Sequence, residues 1–421
     1  MTTIASVQGL EVLDSRGFPT VLVRVCLSND LVATAMVPSG ASTGAFEAIE
    51  KRDISSDRFH RKGVASVVAS VNGEINRALQ GKDPFEQAHI DRVLIELDGT
   101  ENKSRLGANA ILGTSLAVAR AAAMAQKKPL WQYLGGQKPH MPCPMCNILN
   151  GGAHAGNSVD FQEFMIRPHA AETFAEKVRW SAEIYQTLKA ILKKRGANTS
   201  VGDEGGFAPD LSSDEEALEL LVEAISKSGF TPGQQVSIAL DCAANELYDQ
   251  ENGLYIEKKH KARGQSFKAR STQEQVDYLA DLVHRFPIDS IEDGLAETDW
   301  AGWQTLQRRL GNSVQIVGDD LFVTNPKFLS RGIEEKSANA ILIKLNQIGT
   351  LTETIQTIKQ AQNVGWNTIV SHRSGETEDT FIADLVVALH CGQIKTGAPC
   401  RSERTAKYNR LLYIEAFESK N

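Results

Sequence analysis

SIALD (237–241), IDSIED (288–293), VQIVGDD (314–320), ANAILIK (338–344), NTIVSH (367–372) and QIK (393–395) are short apolar runs. Each ends in a residue that can bind a cation or move a proton: Asp241, Glu292 with Asp293, Asp319 with Asp320, Lys344, His372 and Lys395. From Glu292 onward these tips are 27, 25, 28 and 23 residues apart, the room that a strand, a loop, a helix and a return require. Between them lie segments such as TLTETIQTIKQAQ (350–362) and TFIADLVVALH (380–390), apolar at helical spacing. Strands that are apolar throughout and alternate with helices predict a parallel sheet covered on both faces. Chemistry at the same end of every strand favours a closed barrel, whose site collects at its C-terminal rim, over an open sheet with one switch point.

Working back from this stretch, PMCNILN (144–150) and FQEFMIRP (161–168) read as two strands. The segment between them is too short for a crossover helix, which predicts antiparallel neighbours. Two helices follow, about 172–195 and 213–229, joined by a loop that holds VGDEGG. The reading is an α/β chain: an eight-stranded (β/α) barrel with an irregular ββαα start, preceded by a smaller α+β domain. Residues 1–137 form that N-terminal domain, with strands near 3–13, 19–27 and 32–37, three helices and a glycine-rich loop at 39–47. Residues 138–421 form the barrel. A polar insert occupies about 245–270, and Ser271 with Glu274 caps the helix that follows.

The 421 residues suit two domains, and a net charge of −7 argues against a nucleic-acid surface. The basic run EKKHKARGQSFKAR (257–270) reads as a solvated loop. The N-terminus does not read as a secretory signal. The apolar helix near 106–125 is broken by Asn109 and Arg120, so it reads as packed rather than membrane-spanning. A soluble, cytoplasmic protein is expected. Six cysteines do not make a disulfide framework at this length, and Cys143 and Cys146 read as structural.

Asp241, Glu292 and Asp319, on three successive strand ends, offer hard oxygen ligands that suit magnesium. The alternative is that these acids pair with Lys344 and Lys395 as buried ion pairs. Like charge and desolvation would lower the Lys344 pKa and make it a base. Repulsion between Glu163 and Glu204 would raise one carboxyl pKa, with Glu204 the expected acid. Arg373 and Ser374, before a helix expected to begin near Glu376, suit a phosphate or carboxylate.

SGASTG (39–44), DGTENKSRLGANAILG (98–113), NILNGGAHAGN (147–157), FQEFMI (161–166), VGDEGG (201–206), LDCAANE (240–246), SIEDGLAE (290–297), GDDLFVTNP (318–326), LIKLNQIGTLTET (342–354), the run from Ser371 to Pro399 and RSERTAKYN (401–409) together resemble the enolase family, in its bacterial form. The resemblance implies a lyase that interconverts 2-phosphoglycerate and phosphoenolpyruvate through a magnesium-stabilised enediolate. It makes Lys344 the base at C2 and Glu204 the acid at the C3 hydroxyl. Asp241, Glu292 and Asp319 hold a first magnesium, and Ser42 ligates a second that binds with substrate as the 39–47 lid closes. Arg373 and Ser374, with Ser371 beside them, bind the phosphate, and Lys395 contacts the substrate carboxylate. His154, Glu163 and His372 surround the leaving hydroxyl, while Asp320 orients the base. A homodimer or higher homo-oligomer is implied as well. Two alternatives stay open: a related enzyme acting on an unphosphorylated carboxylate, and a surface or scaffold role, for which Lys420 is the only hint.

Overall fold

The structure is a computed structural model that describes residues 2–40 and 44–419. Strands Ile4–Leu13, Pro19–Leu27 and Val32–Met36 form an antiparallel meander. Its first turn is set by Asp14, whose carboxylate accepts the backbone N–H groups of Arg16 and Phe18. The alternating face of the second strand buries Val21, Val23 and Val25. Helix Ala108–Ala125 packs on that face, and a Cβ on Gly113 would come within 2.7 Å of Val23. Close approach, rather than lipid, explains its composition: 83% of the helix is buried inside the protein.

Eight strands close the barrel: Cys143–Asn150, Glu163–Arg167, Ser237–Asp241, Ile288–Glu292, Gln315–Gly318, Ala340–Ile343, Asn367–Ser371 and Gly392–Lys395. The second is antiparallel to both its neighbours, and all other pairs, including the eighth with the first, are parallel. The ββαα start follows from the 12-residue link between Asn150 and Glu163, which holds only a short helical turn at Gly152–His154. Two long helices, Phe174–Lys194 and Asp214–Lys227, come next, capped by Thr173 and Ser213. Ser271 and Glu274 form the expected capping box.

The barrel is layered. Gln315, Gln393 and Ser290 exchange side-chain hydrogen bonds towards one end. Met145, Met165, Ala239, Val317, Ala340, Leu342 and Ile369 make a separate apolar plug. The charged strand ends stand beyond this plug, over an apolar floor.

Two local expectations change. The helix after SHRSGETEDT begins at Phe381, not near Glu376, because the Glu376 carboxylate is already bound by the buried Lys407 ammonium and the Arg373 N–H. Arg373 and Ser374 therefore lie in a loop that is not a helix start. The basic run is a solvated loop only in part: residues 261–269 are exposed, but its start is anchored. Lys258–Ala262 is a short helix, in which Lys259 donates to the Ala155 carbonyl and His260 Nδ1 lies 2.9 Å from Asp160. The insert thus pins the loop that carries His154.

Candidate active site

Strand register sets the site. Glu163 pairs with Asp241 and Asp241 with Glu292, so three carboxyls from the second, third and fourth strands share one level. Asp319 follows the fifth strand, Lys344 the sixth, and Ser371 and Lys395 are partners on the seventh and eighth. In a closed eight-stranded ring the second and sixth strands are four steps apart either way. Glu163 and Lys344 therefore stand on opposite walls.

Lysines meet the acids directly. The Lys395 ammonium donates to Asp241 at 2.9 Å and to both Glu292 oxygens at 2.9 Å, and lies 3.2 Å from Glu163. Lys344 bonds the Asp319 carboxylate. The ion-pair arrangement is thus what the geometry contains. Burial alone would lower both lysines, but the acids around them, Asp319 foremost and Glu292 for Lys344, and Asp241, Glu163 and Glu292 for Lys395, hold both above the ordinary lysine range. Lys344 is thus shifted up, not down as expected. Asp320 does not touch Lys344 by hydrogen bond; it accepts from Asn245 at 2.8 Å.

On the opposite wall, atoms of His154, Glu163 and Glu204 lie within 4.8 Å of one another. His154 Nδ1 is 3.5 Å from Glu204, and His372 Nε2 is 3.3 Å from its other oxygen. Asn147 donates to that second oxygen at 2.9 Å. The two carboxyls separate. Burial and the Glu204 charge push Glu163 well above the carboxylate range. Glu204 is buried too, but His372 and His154 hold it well below that range. The raised partner is therefore Glu163, not Glu204 as expected, because both histidines approach Glu204. Burial makes both histidines poor bases, with His372 pushed down to about 3.

Arg373 is buried and donates to Glu47 at 3.0 and 3.2 Å and to Asn346 at 2.9 Å. Burial would lower it, and Glu47 holds it above its ordinary value. Ser39 and Gly375 exchange backbone hydrogen bonds at 2.7 and 2.8 Å, tying the base of the 39–47 loop to the loop of Arg373 and Ser374. Ser371 donates to the His372 carbonyl. Ser42 lies outside the described residues.

The donor set fits a hard divalent cation. Asp241, Glu292 and Asp319 contribute only oxygen, and mutual repulsion is part of what lifts Glu292 after burial, a surplus of negative charge that a cation relieves. Buried Gln162 Oε1 and Glu163 Oε2 accept no hydrogen bond among the described residues. The three predicted ligands do not yet share one tight cluster. Asp319 groups with Asp293 and Asp320, while Asp241 and Glu292 converge on Lys395.

Residues outside the sequence reading complete the site: Glu47, Gln347, which bonds both Glu47 and Asp319, and Arg404. Arg404 had a legible signal. Arg404, Lys407, Tyr408 and Leu411 recur at i, i+3, i+4 and i+7, so charges occupy the face that packs inward.

Comparison with known families bears on both parts of the chain. Residues 4–134 match the family described as "Enolase, N-terminal domain", and residues 138–420 match "Enolase, C-terminal TIM barrel domain". A sheet-and-helix domain, a barrel with one antiparallel strand, and acids facing a lysine across its rim accompany those matches, and the chain belongs to the enolase family of lyases.

Proposed function

We propose that this protein reversibly dehydrates 2-phosphoglycerate to phosphoenolpyruvate, with Lys344 as base and Glu204 as acid. The observation that carries the reading is the opposition of Lys344 to the Glu163–Glu204 pair across the rim. A base on one side and a proton-bearing pair on the other suit removal of a proton and a hydroxyl from adjacent carbons of one substrate.

Lys344 takes the C2 proton and leaves the electrons of that C–H bond on the substrate as the enediolate; these then form the C2–C3 double bond as the C3–O bond breaks. The departing hydroxyl takes a proton from the Glu204 side and leaves as water. Asp319 is the contact that keeps Lys344 protonated, so the amine becomes a base when Asp319 is engaged elsewhere. Glu163 carries the proton of the carboxyl pair and Glu204 the charge; the pair titrates as a unit and supplies one proton. His154 and His372, neutral, orient the leaving oxygen. Lys395 faces the substrate carboxylate, and Arg373 with Ser374 and Ser371 receives the phosphate. Magnesium, on which this family depends, draws negative charge from the substrate carboxylate when bound, and Asp241, Glu292 and Asp319 would hold it.

The test is ultraviolet detection of the enol product from 2-phosphoglycerate with magnesium, with chelator, and with magnesium restored. Activity that vanishes and returns with the metal is expected. No turnover by folded, magnesium-loaded protein would refute the reading and leave an unphosphorylated carboxylate as substrate.

A further inference from the structure

The final helix, Ser402–Tyr413, presents charge to the interior, and Arg404 on it has no exposed surface. Its guanidinium joins two loops of the site. Nη1 donates to the Arg373 carbonyl at 2.6 Å and stands 2.6 Å from His372 Nδ1; Nη2 donates to the carbonyls of Ser374 at 2.7 Å and Asp203 at 3.1 Å. Asp203 adjoins Glu204, so one side chain grips the backbone beside Glu204 and the backbone beside His372.

A guanidinium has donors only, so at this contact Nδ1 of His372 must be the acceptor. A neutral imidazole that accepts at Nδ1 carries its proton on Nε2. Nε2 is the nitrogen that lies 3.3 Å from Glu204 Oε2. The opposite tautomer would set two N–H groups against each other at 2.6 Å and turn a lone pair towards a carboxylate. Burial, which pushes the His372 pKa down to about 3, leaves the doubly protonated ring out of account near neutrality.

We propose that Arg404 is a positioning residue for the acid side of the site: it fixes His372 as the Nε2–H tautomer and keeps that N–H on the side of Glu204. The inference rests on the dehydration reading for its kinetic consequence, though not for the tautomer. Once the carboxyl pair has given its proton to the departing hydroxyl, the charge left on Glu204 faces a donor held 3.3 Å away. Arg404 touches no reacting atom. Its loss should therefore slow loss of water and spare removal of the C2 proton, which belongs to the opposite wall.

The test uses the full chain labelled with ¹⁵N in its histidine rings, with His372 assigned by the signal missing from His372→Asn. Wild type should show a bare Nδ1 and a protonated Nε2. Arg404→Met should show the other tautomer or exchange between the two, with dehydration of 2-phosphoglycerate slowed ~10²-fold, the scale of one lost oriented donor. Exchange of the C2 proton with solvent should stay within a few-fold of wild type. If Arg404→Met does not fold, Arg404→Ala with added guanidinium carries the same readouts, and rescue of both tautomer and dehydration is expected. A protonated Nδ1 in wild type, an unchanged tautomer in a folded Arg404 variant, or equal loss of both chemical steps would overturn the assignment. The ring signals need no substrate, so a protein inert towards 2-phosphoglycerate would refute the functional reading and leave the tautomer to be decided by the spectrum.

Discussion

Replacing Asp214 with asparagine should make the protein more resistant to unfolding at alkaline pH and change little under acid conditions. Asp214 opens helix Asp214–Lys227, is buried, and accepts the Phe161 N–H at 3.1 Å, one residue from Gln162 and two from Glu163. Burial, with Asp160, Glu215 and Glu257 nearby, pushes its carboxyl up to about 7 from 3.8. The folded chain therefore holds a proton that the unfolded chain releases, and stability falls as pH rises between these values. The rise from 3.8 to about 7 corresponds to on the order of 4 kcal/mol, fully present below about pH 4 and lost as the pH passes through about 7. Asparagine keeps an acceptor for Phe161 and cannot ionise. Urea midpoints of wild type and Asp214→Asn, taken at several values between about pH 5 and 8, should diverge steadily with the variant ahead. A difference that is flat with pH, or that narrows as pH rises, would refute the reasoning.

The functional roles make sharper demands. Lys344→Ala should lose exchange of the substrate C2 proton by roughly 10² to 10⁴; exchange at the wild-type rate removes Lys344 from the base role. Glu204→Gln should lose dehydration while keeping some exchange, and full turnover would disprove its part as acid. Burial would lower His260, but the hydrogen bonds to Asp160 and the Ser212 carbonyl, with the Asp160 and Glu257 charges, together hold it above its ordinary value. The link between insert and His154 loop should therefore be strongest below about pH 6.5 and weaken as pH rises through the folded value. Limited proteolysis within 152–160 should increase over that range in wild type, while His260→Ala is cut readily throughout; cleavage independent of both pH and mutation would show that the insert does not restrain the loop.

The barrel was legible because burial on both faces leaves a strand nothing to be but apolar until its last residue, and Asp241, Glu292, Asp319, Lys344 and Lys395 stand at those ends. The lone antiparallel strand was legible from the short link after Asn150. What stayed hidden depends on partners distant in sequence. Lys259 and His260 looked solvated because Asp160 and Ala155 lie about a hundred residues earlier. Glu376 looked like a helix start because its ammonium partner, Lys407, comes 31 residues later. Glu204 looked like the raised carboxyl because nothing local reveals that His154 and His372 both turn to it. A sequence displays which groups can ionise at a rim; the order of their pKa values belongs to three-dimensional neighbours.

That dependence has a consequence for how the glycine-rich loop acts. Glu47, at its C-terminal end, accepts the Gly44 N–H and a Gln347 N–H with one oxygen, and Arg373 binds both its oxygens. The same Gln347 amide donates to Asp319 at 2.8 Å, and Asp319 holds Lys344. Gly44 packs tightly as well, since a Cβ there would come within 2.7 Å of Val323 beside Asp320. Any displacement of residues 44–47 therefore takes Glu47 from the buried Arg373 guanidinium, where an incoming anion can take its place. It must also change the donors around Asp319, and through Asp319 the protonation of Lys344. An anion that takes over Arg373 from Glu47 is thus coupled, through two hydrogen bonds and one ion pair, to the group on the far side of the rim that must become a base.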